Sequence, residues 1–192
     1  MYKVSMKIKK KTLLNILLIL FVLSFFVTPL GYYGKIALLQ LFATPPTVVD
    51  VRKREKLPFY DWTLKDENWD FFNFERSKGR VVLIDFWRSW SLPSLPELKG
   101  LQALYEAYGD RVDFYIITNE EQAPVKAFME EHDFTFPVTY LFLESESPVD
   151  DKSTPRSYLI DREGYVVIDQ EVIADWDSQR VRTLLDDLLK TP

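Results

Sequence analysis

The chain has 192 residues, of which 47% are apolar and 15% aromatic, so it can close one hydrophobic core of ordinary size. Its formal charge is −5, and beyond the five lysines of residues 1–12 it carries 19 basic against 29 acidic groups, which argues against nucleic-acid binding. The absence of cysteine excludes disulfides, thiolate chemistry and cysteine metal ligands, and the single histidine, His132, argues against a histidine metal cluster. We therefore expect neither a metal nor a cofactor.

The first thirty residues have the composition of a membrane anchor. Residues 1–12 form a basic tip, and residues 13–30 are mostly apolar and just long enough to span a bilayer. The lysines favour a cytoplasmic N-terminus, which places the rest of the chain on the extracytoplasmic or periplasmic side of the cell (inner) membrane. We predict a single transmembrane helix over residues 13–30 that is retained as an anchor, whereas a cleaved signal peptide, which shares both features, is the alternative. Residues 31–57 are expected to form a juxtamembrane segment and linker.

Residues 58–192 are predicted to form one domain in which strand patterns alternate with helix patterns. The central strand pattern begins at Val81 and is almost entirely apolar, which is typical of a strand covered on both faces. Helix patterns begin after Pro93, after Asn119 and at Val181, each with apolar residues at helical spacing. The order strand, helix, strand, helix implies parallel pairing. The strand patterns cover residues 62–64, 71–74, 81–86, 112–118, 136–141, 157–161 and 165–169.

The segment that joins the central strand to the first helix carries a motif. It contains Phe86 and Trp87, a second tryptophan at Trp90, and then Ser91 and Ser94 with two residues between them. This pattern resembles the active-site region of thioredoxin-like proteins, in particular the membrane-anchored, TlpA-like thiol-disulfide reductases. Those proteins carry a CxxC pair at the two positions that are serine in this chain.

The resemblance extends over roughly residues 58–189. Thr154-Pro155 fits the cis-proline of the family, and residues 157–164 fit the strand and turn that follow it. The resemblance implies an α/β, thioredoxin-like fold with a mixed central sheet flanked by helices, preceded here by the N-terminal transmembrane helix. It also implies that Ser91 and Ser94 are the degenerate positions of a CxxC site.

The two serines cannot perform the reaction of the family. Disulfide exchange needs a thiolate that attacks and a thiol that leaves, and a hydroxyl supplies neither near neutral pH. Serine catalysis needs an adjacent base, and nothing in the spacing places His132 near Ser91. We interpret Ser91 as a helix cap and Ser94 with Glu97 as a capping box.

Asp85 occupies the position that resembles the buried carboxylate of thioredoxins, which lies behind the second cysteine and shuttles its proton. Burial would raise the pKa of such a carboxyl group. One hypothesis is that Asp85 is held by a hydroxyl such as that of Ser94, or by a basic group. The alternative is a carboxylate turned to water at the end of the strand.

Four residues outline the surface where, in the family, an extended peptide pairs with backbone beside the cis-proline: Trp90, Pro93, Thr154 and Pro155. Nothing in that docking requires sulfur, so one interpretation is that this surface still binds a protein or peptide. The alternative is that Trp90 is ordinary exposed surface and that Pro155 only fixes a turn. In either case Trp87 is expected in the core.

The sequence therefore predicts a redox-inactive, membrane-tethered, thioredoxin-like domain that is not an enzyme and binds a protein or peptide partner on the extracytoplasmic side. One alternative is a thiol-disulfide oxidoreductase of the TlpA-like family whose active-site cysteines were lost or mutated to serine. Another is a purely structural partner within a membrane complex.

Overall fold

The computed structural model describes residues 10–27 and 29–190, which divide into two units at residues 41 and 42. The first unit contains helix α1 (Lys10–Val27) and nearly all of helix α2 (Pro29–Phe42). A proline ring removes a backbone donor and clashes with the preceding turn, so Pro29 suits the first position of a new helix and not the interior of an old one.

The prediction of a membrane-spanning helix over residues 13–30 is not confirmed. Within the described ranges, no helix combines the length and the apolar character needed to cross a bilayer. The apolar pattern is divided between α1, which ends at Val27, and α2, which begins at Pro29. Residues 1–9 of the predicted basic tip lie outside the described part of the chain.

The second unit is built on one mixed sheet of seven strands in the order β2-β1-β5-β4-β3-β6-β7. β3 runs parallel to β4, and β4 runs parallel to β5, as the alternation of strands and helices predicted. The remaining pairs are antiparallel. The strands are β1 (Thr63–Lys65), β2 (Phe71–Asn73), β3 (Val81–Phe86), β4 (Val112–Thr118), β5 (Val138–Leu141), β6 (Arg156–Ile160) and β7 (Val166–Gln170).

Three helices complete the unit, together with 3-10 turns at Val51–Lys53 and Phe74–Ser77. The helices are α3 (Ser94–Tyr108), α4 (Gln122–Glu131) and α5 (Gln179–Lys190). The predicted α/β, thioredoxin-like fold with a mixed sheet is confirmed for this unit.

The core lies on both faces of β3, every residue of which is buried. On one face an aromatic cluster forms around Phe74, whose ring centroid lies 5.0 Å from that of Tyr115 and 5.6 Å from that of Trp62. On the other face α3 contributes the fully buried Leu98 and Leu101. Each fully buried leucine contributes roughly 1.5–3 kcal/mol relative to an exposed one, so this double burial anchors the strand that leads into the site.

Residues 48–57, which the sequence assigned to a linker, lie against the sheet. Val48 forms an isolated bridge with Ile168 of β7, and Lys56 forms one with Tyr165, which directly precedes β7. The turn of that hairpin contains Gly164 at φ 88°, where a Cβ atom would lie 2.5 Å from the hydroxyl oxygen of Tyr60. The partners of Val48 and Lys56 lie more than a hundred positions further along the chain, so a local sequence pattern does not reveal this pairing.

Candidate functional site

The motif lies in the turn between β3 and α3. After Phe86, the backbone N–H of Trp87 still donates to the carbonyl of Ile117 on β4, at 3.0 Å. The indole of Trp87 is buried, and its ring centroid lies 5.3 Å from that of Phe128 on α4, so its expected place in the core is confirmed. The next tryptophan, Trp90, is 77% exposed.

Neither serine caps the helix in the way the sequence suggested. Pro93 stands at the N-cap position, and no side chain caps α3 there. The Ser91 carbonyl accepts the N–H of Ser94 at 3.1 Å, a backbone contact. Ser94 is buried, and its hydroxyl accepts the N–H of Arg88 at 3.3 Å, so it stabilises the turn before the helix. The predicted capping box is wrong because Glu97 is turned into the core and not back towards the helix start.

A carboxylate that the sequence did not single out holds the turn from the side of β4. Glu120 accepts hydrogen bonds from the backbone N–H and the hydroxyl of Ser89, at 2.6 and 2.7 Å. Arg88 donates to the carbonyl of Trp87 at 2.9 Å. Burial lowers the pKa of the Arg88 guanidinium from its ordinary value, and the charge of Glu120 opposes that change.

Pro155 reaches the same end of the sheet from β6. The Thr154-Pro155 peptide bond is cis, as the resemblance implied. In the pairing of β3 with β6, Phe86 is opposite Arg156, so Pro155 is one residue further along, beside the start of the turn at Trp87. The hydroxyl oxygen of Thr154 is buried and has no hydrogen-bond partner within the described residues.

Asp85 is buried and is not turned to water. Its side chain lies on β3 and is 1% exposed. Its Oδ1 atom accepts the hydroxyl of Ser157 on β6 at 2.7 Å, and its Oδ2 atom is buried without a partner in the described part of the chain. The hypothesis of a hydroxyl partner is correct, but the partner is Ser157 and not Ser94. Burial raises the pKa of Asp85 to about 7, and the hydrogen bond from Ser157 opposes that shift.

Glu97 approaches the same hydroxyl from α3. Its Oε1 atom lies 3.2 Å from the Ser157 hydroxyl and accepts the indole N–H of Trp176 at 3.1 Å. Burial, followed by the nearby charge of Asp85, raises the pKa of Glu97 well above its ordinary value. Two carboxyl groups thus meet around one hydroxyl, and a single hydroxyl hydrogen cannot serve both. The second contact requires a proton on a carboxyl group.

Periodicity could have located Glu97, because it precedes Leu101 by four residues and Leu104 by seven, on the apolar stripe of the helix. Nothing local identified Trp176, which lies 79 residues further along the chain.

The site does not contain the elements of serine catalysis or of a metal centre. His132 ends α4 with its ring 4.5 Å from that of Phe128, and no hydrogen bond joins it to Ser91 among the residues described. Residues 10–27 and 29–190 contain no group of three or more histidine, aspartate or glutamate side chains placed to hold a metal ion.

Three features together define a thioredoxin-like domain: a mixed sheet, a strand-to-helix turn with two residues at CxxC spacing, and a cis-proline next to the neighbouring strand. In this chain both positions of the CxxC pair carry serine. The sequence profile of the AhpC/TSA family matches residues 55–168, and the chain belongs to that family.

The relatives of the chain include proteins named for disulfide chemistry. It is similar to the thioredoxin-like protein YneN of Bacillus subtilis, with 26% identity over 161 residues that cover 82% of this chain and 87% of that protein. It is similar to the thiol-disulfide oxidoreductase ResA of Bacillus cereus, with 26% identity over 186 residues that cover 92% and 96%. A crystal structure assigned to a thiol:disulfide interchange protein DsbE from Chlorobium tepidum aligns with a TM-score of 0.53 and 25% identity, covering 71% of this chain and 97% of that one.

Proposed function

We propose that this chain is a redox-inactive member of its family that binds an extended polypeptide segment at the surface between Trp90 and the cis-proline. The observation that carries the proposal is the position of Pro155 beside the turn that displays Trp90 and bears serine at residues 91 and 94.

The loss of redox chemistry follows from the two serines. A thiolate is the attacking group in disulfide exchange, and a thiol must leave from the mixed disulfide. Hydroxyl groups at Ser91 and Ser94 supply neither, and Ser94 is in any case buried against the Arg88 backbone. Restoring the chemistry would require sulfur at both positions.

The binding surface does not depend on sulfur. Trp90 offers a large, exposed aromatic side chain of the kind that is enriched in binding sites. Thr154 places backbone donor and acceptor groups beside the cis peptide bond, where an extended segment can pair with them. Glu120 and Ser94 fix the turn that lies next to this backbone, so the surface is formed before a partner arrives.

We further propose that this surface is held outside the cytoplasm, at the cell membrane. The support is the sequence pattern of a basic tip over residues 1–12 followed by the apolar run over residues 13–30. Protease treatment of protoplasts or spheroplasts before and after lysis, with a tag after residue 192, tests the side of the membrane. A tag that is cleaved only after cell lysis would contradict this part of the proposal.

The relatives named as thiol-disulfide oxidoreductases favour a second candidate function. In this alternative the chain is an oxidoreductase whose active-site cysteines were lost or mutated to serine. The coding sequence of the parent gene distinguishes the binding function from this second candidate, because cysteine codons at positions 91 and 94 would establish the second candidate.

Binding at the Trp90 surface is tested by capture of partners from native membranes with the full chain. We expect wild-type protein and the control Val172→Ala, which truncates another exposed apolar side chain, to retain the same partner. We expect Trp90→Ala to lose it. Retention of that partner by Trp90→Ala would refute the binding surface, and reduction of insulin by the unaltered chain would refute redox inactivity.

A further inference from the structure

A second groove lies between α4, β5 and the turn that joins β1 to β2. Its volume is about 580 Å3, and Glu67 and Lys126 lie among its polar lining residues. None of its lining residues is Trp90, Pro93, Thr154 or Pro155. The apolar walls are formed by Val125, Met129, Phe134, Phe136, Val138 and Tyr140.

Trp69 lies next to this groove in a backbone conformation that disfavours it. The turn is closed by Asp66, whose carboxylate accepts the backbone N–H groups of Asn68 and Asp70 at 2.8 and 3.0 Å. Within the turn Trp69 has φ 65°, a left-handed conformation that glycine or asparagine adopts readily and a bulky residue does not. Trp69 is 44% exposed, and its ring meets the ring of Tyr140 edge-on, with centroids 6.1 Å apart. A strained, exposed tryptophan beside a groove is better explained by binding than by folding.

The apolar surface continues from Trp69 along the edge of the sheet. Phe71 on β2 is 60% exposed, and its ring centroid lies 5.1 Å from that of Phe142. The ammonium group of Lys65 is 4.7 Å from the centroid of Trp69 and 4.9 Å from that of Phe71, so these rings already engage a cation. We call this surface, together with the groove, the Trp69 groove. Exposed apolar surface that is continuous with a groove marks an interaction site.

The charges around the Trp69 groove are mostly acidic. Glu67, Asp70, Glu144 and Glu146 are exposed on the two chain segments that carry its aromatic residues. If a partner segment buries an apolar side chain in the groove, lysine or arginine on either side of that side chain would complement these acidic charges and favour binding. β2 is the terminal strand of the sheet, with a strand neighbour on one side only among the described strands, and such an edge pairs with extended polypeptide.

We propose that the Trp69 groove binds a polypeptide segment that presents an aromatic or long aliphatic side chain flanked by lysine or arginine. This site is separate from the Trp90 surface and does not rest on the function proposed there.

The probe is a fluorescein-labelled peptide of sequence Gly-Lys-Lys-Leu-Phe-Leu-Lys-Lys-Gly, with a matched peptide that has glutamate in place of every lysine. Binding to the full 192-residue chain in dodecyl maltoside micelles is measured by fluorescence anisotropy. A second form of the lysine peptide carries a photo-crosslinking group in place of phenylalanine, so that mass spectrometry locates the contact. The variants are Trp69→Asn, Glu67→Gln and the charge control Glu163→Gln, whose glutamate is exposed in the β6–β7 turn.

We expect the lysine peptide to bind and the glutamate peptide not to bind. Trp69→Asn should weaken binding at least about tenfold while the melting temperature stays the same or rises, because asparagine tolerates the left-handed conformation. Glu67→Gln should weaken binding by up to about fivefold and Glu163→Gln should leave it unchanged. Crosslinks should fall within residues 67–71 or 122–142.

Three results would each overturn the proposal. The first is equal binding of the two peptides, and the second is binding by Trp69→Asn at wild-type strength. The third is crosslinking confined to the Trp90 surface, which would assign the peptide to that site. The crosslinking and the comparison of the two peptides decide the matter even if Trp69→Asn fails to fold.

Discussion

Asp85 of β3 and Glu97 of α3 lie on either side of a single hydroxyl group, that of Ser157, with O···O distances of 2.7 and 3.2 Å. Both carboxyl groups are at most 2% exposed, and the described residues place no basic side chain in hydrogen-bonding or ion-pair contact with either. Ionising both would put two like charges into a region of low dielectric. The pair therefore retains a proton near neutral pH, next to the turn that carries serine at positions 91 and 94.

The first prediction concerns stability against pH. The pKa of Asp85 is raised from its ordinary 3.8 to about 7, and that of Glu97 is raised as well, so the folded protein holds protons that the unfolded chain has released. The protonated carboxyl groups therefore stabilise the folded state. Their contribution to the free energy of unfolding is fully present below about pH 4 and falls as the pH rises towards about 7. For Asp85 it amounts to up to about 4 kcal/mol. Urea unfolding between pH 4 and pH 8 should show a falling free energy of unfolding.

The control for this experiment is Asp85→Asn, which keeps the size of the side chain and removes one titrating group. We expect a flatter dependence on pH in this variant. A melting temperature that is unchanged between pH 5 and pH 8 in both proteins would show that Asp85 does not titrate as a buried group.

The second prediction concerns the shared hydroxyl. Ser157→Ala leaves Asp85 Oδ1 buried without its donor, and we expect a loss of about 1–3 kcal/mol in the free energy of unfolding at neutral pH. The matched control is Ser178→Ala, because the Ser178 hydroxyl is also buried but has no hydrogen-bond partner among the described residues. Equal effects of the two substitutions would mean that the hydrogen bonds of Ser157 contribute nothing measurable.

A comparison of two buried tryptophans gives the third prediction. Trp176→Phe removes the indole donor to Glu97, whereas Trp62→Phe removes an indole N–H that is buried without a partner in the described chain. Both side chains are fully buried, so the lost apolar volume is similar. We expect Trp176→Phe to lower the free energy of unfolding, measured by chemical denaturation, by about 1–2 kcal/mol more than Trp62→Phe does. We also expect Trp176→Phe to make the fall of that free energy with pH steeper. A smaller cost for Trp176→Phe than for Trp62→Phe would exclude a stabilising hydrogen bond to Glu97.

The sequence predicted those parts of the molecule whose patterns are local. The apolar run from Val81 predicted a strand buried on both faces, and the leucines after Ser94 predicted the buried face of α3. The parallel pairing of β3 with β4 followed from the order of elements. The motif resemblance located the cis bond at Thr154-Pro155.

The parts that the sequence did not predict depend on distant residues. Glu97 fits a capping box when only its neighbours are considered, and its burial depends on Trp176 and on the β6 strand. The partner of Asp85 was misassigned for the same reason, because Ser157 becomes adjacent only through the pairing of β3 with β6. The conformation of Trp69 contradicts the local preference for glycine or asparagine, so no propensity argument would place a tryptophan there.

The fourth prediction asks whether the scaffold can still carry the chemistry of its relatives. In the double variant Ser91→Cys with Ser94→Cys, we expect insulin-reducing activity in the presence of dithiothreitol above that of the unaltered chain. The cysteine at position 91 lies before the N-terminus of α3, where a thiolate is favoured, and the cysteine at position 94 follows at the spacing needed to resolve the mixed disulfide. The two single variants are the controls, because each lacks either the attacking or the resolving thiol. Neither single variant should reduce insulin catalytically. If the double variant folds with both thiols reduced and shows no turnover, the turn around Arg88 and Glu120 has departed from the geometry that exchange requires.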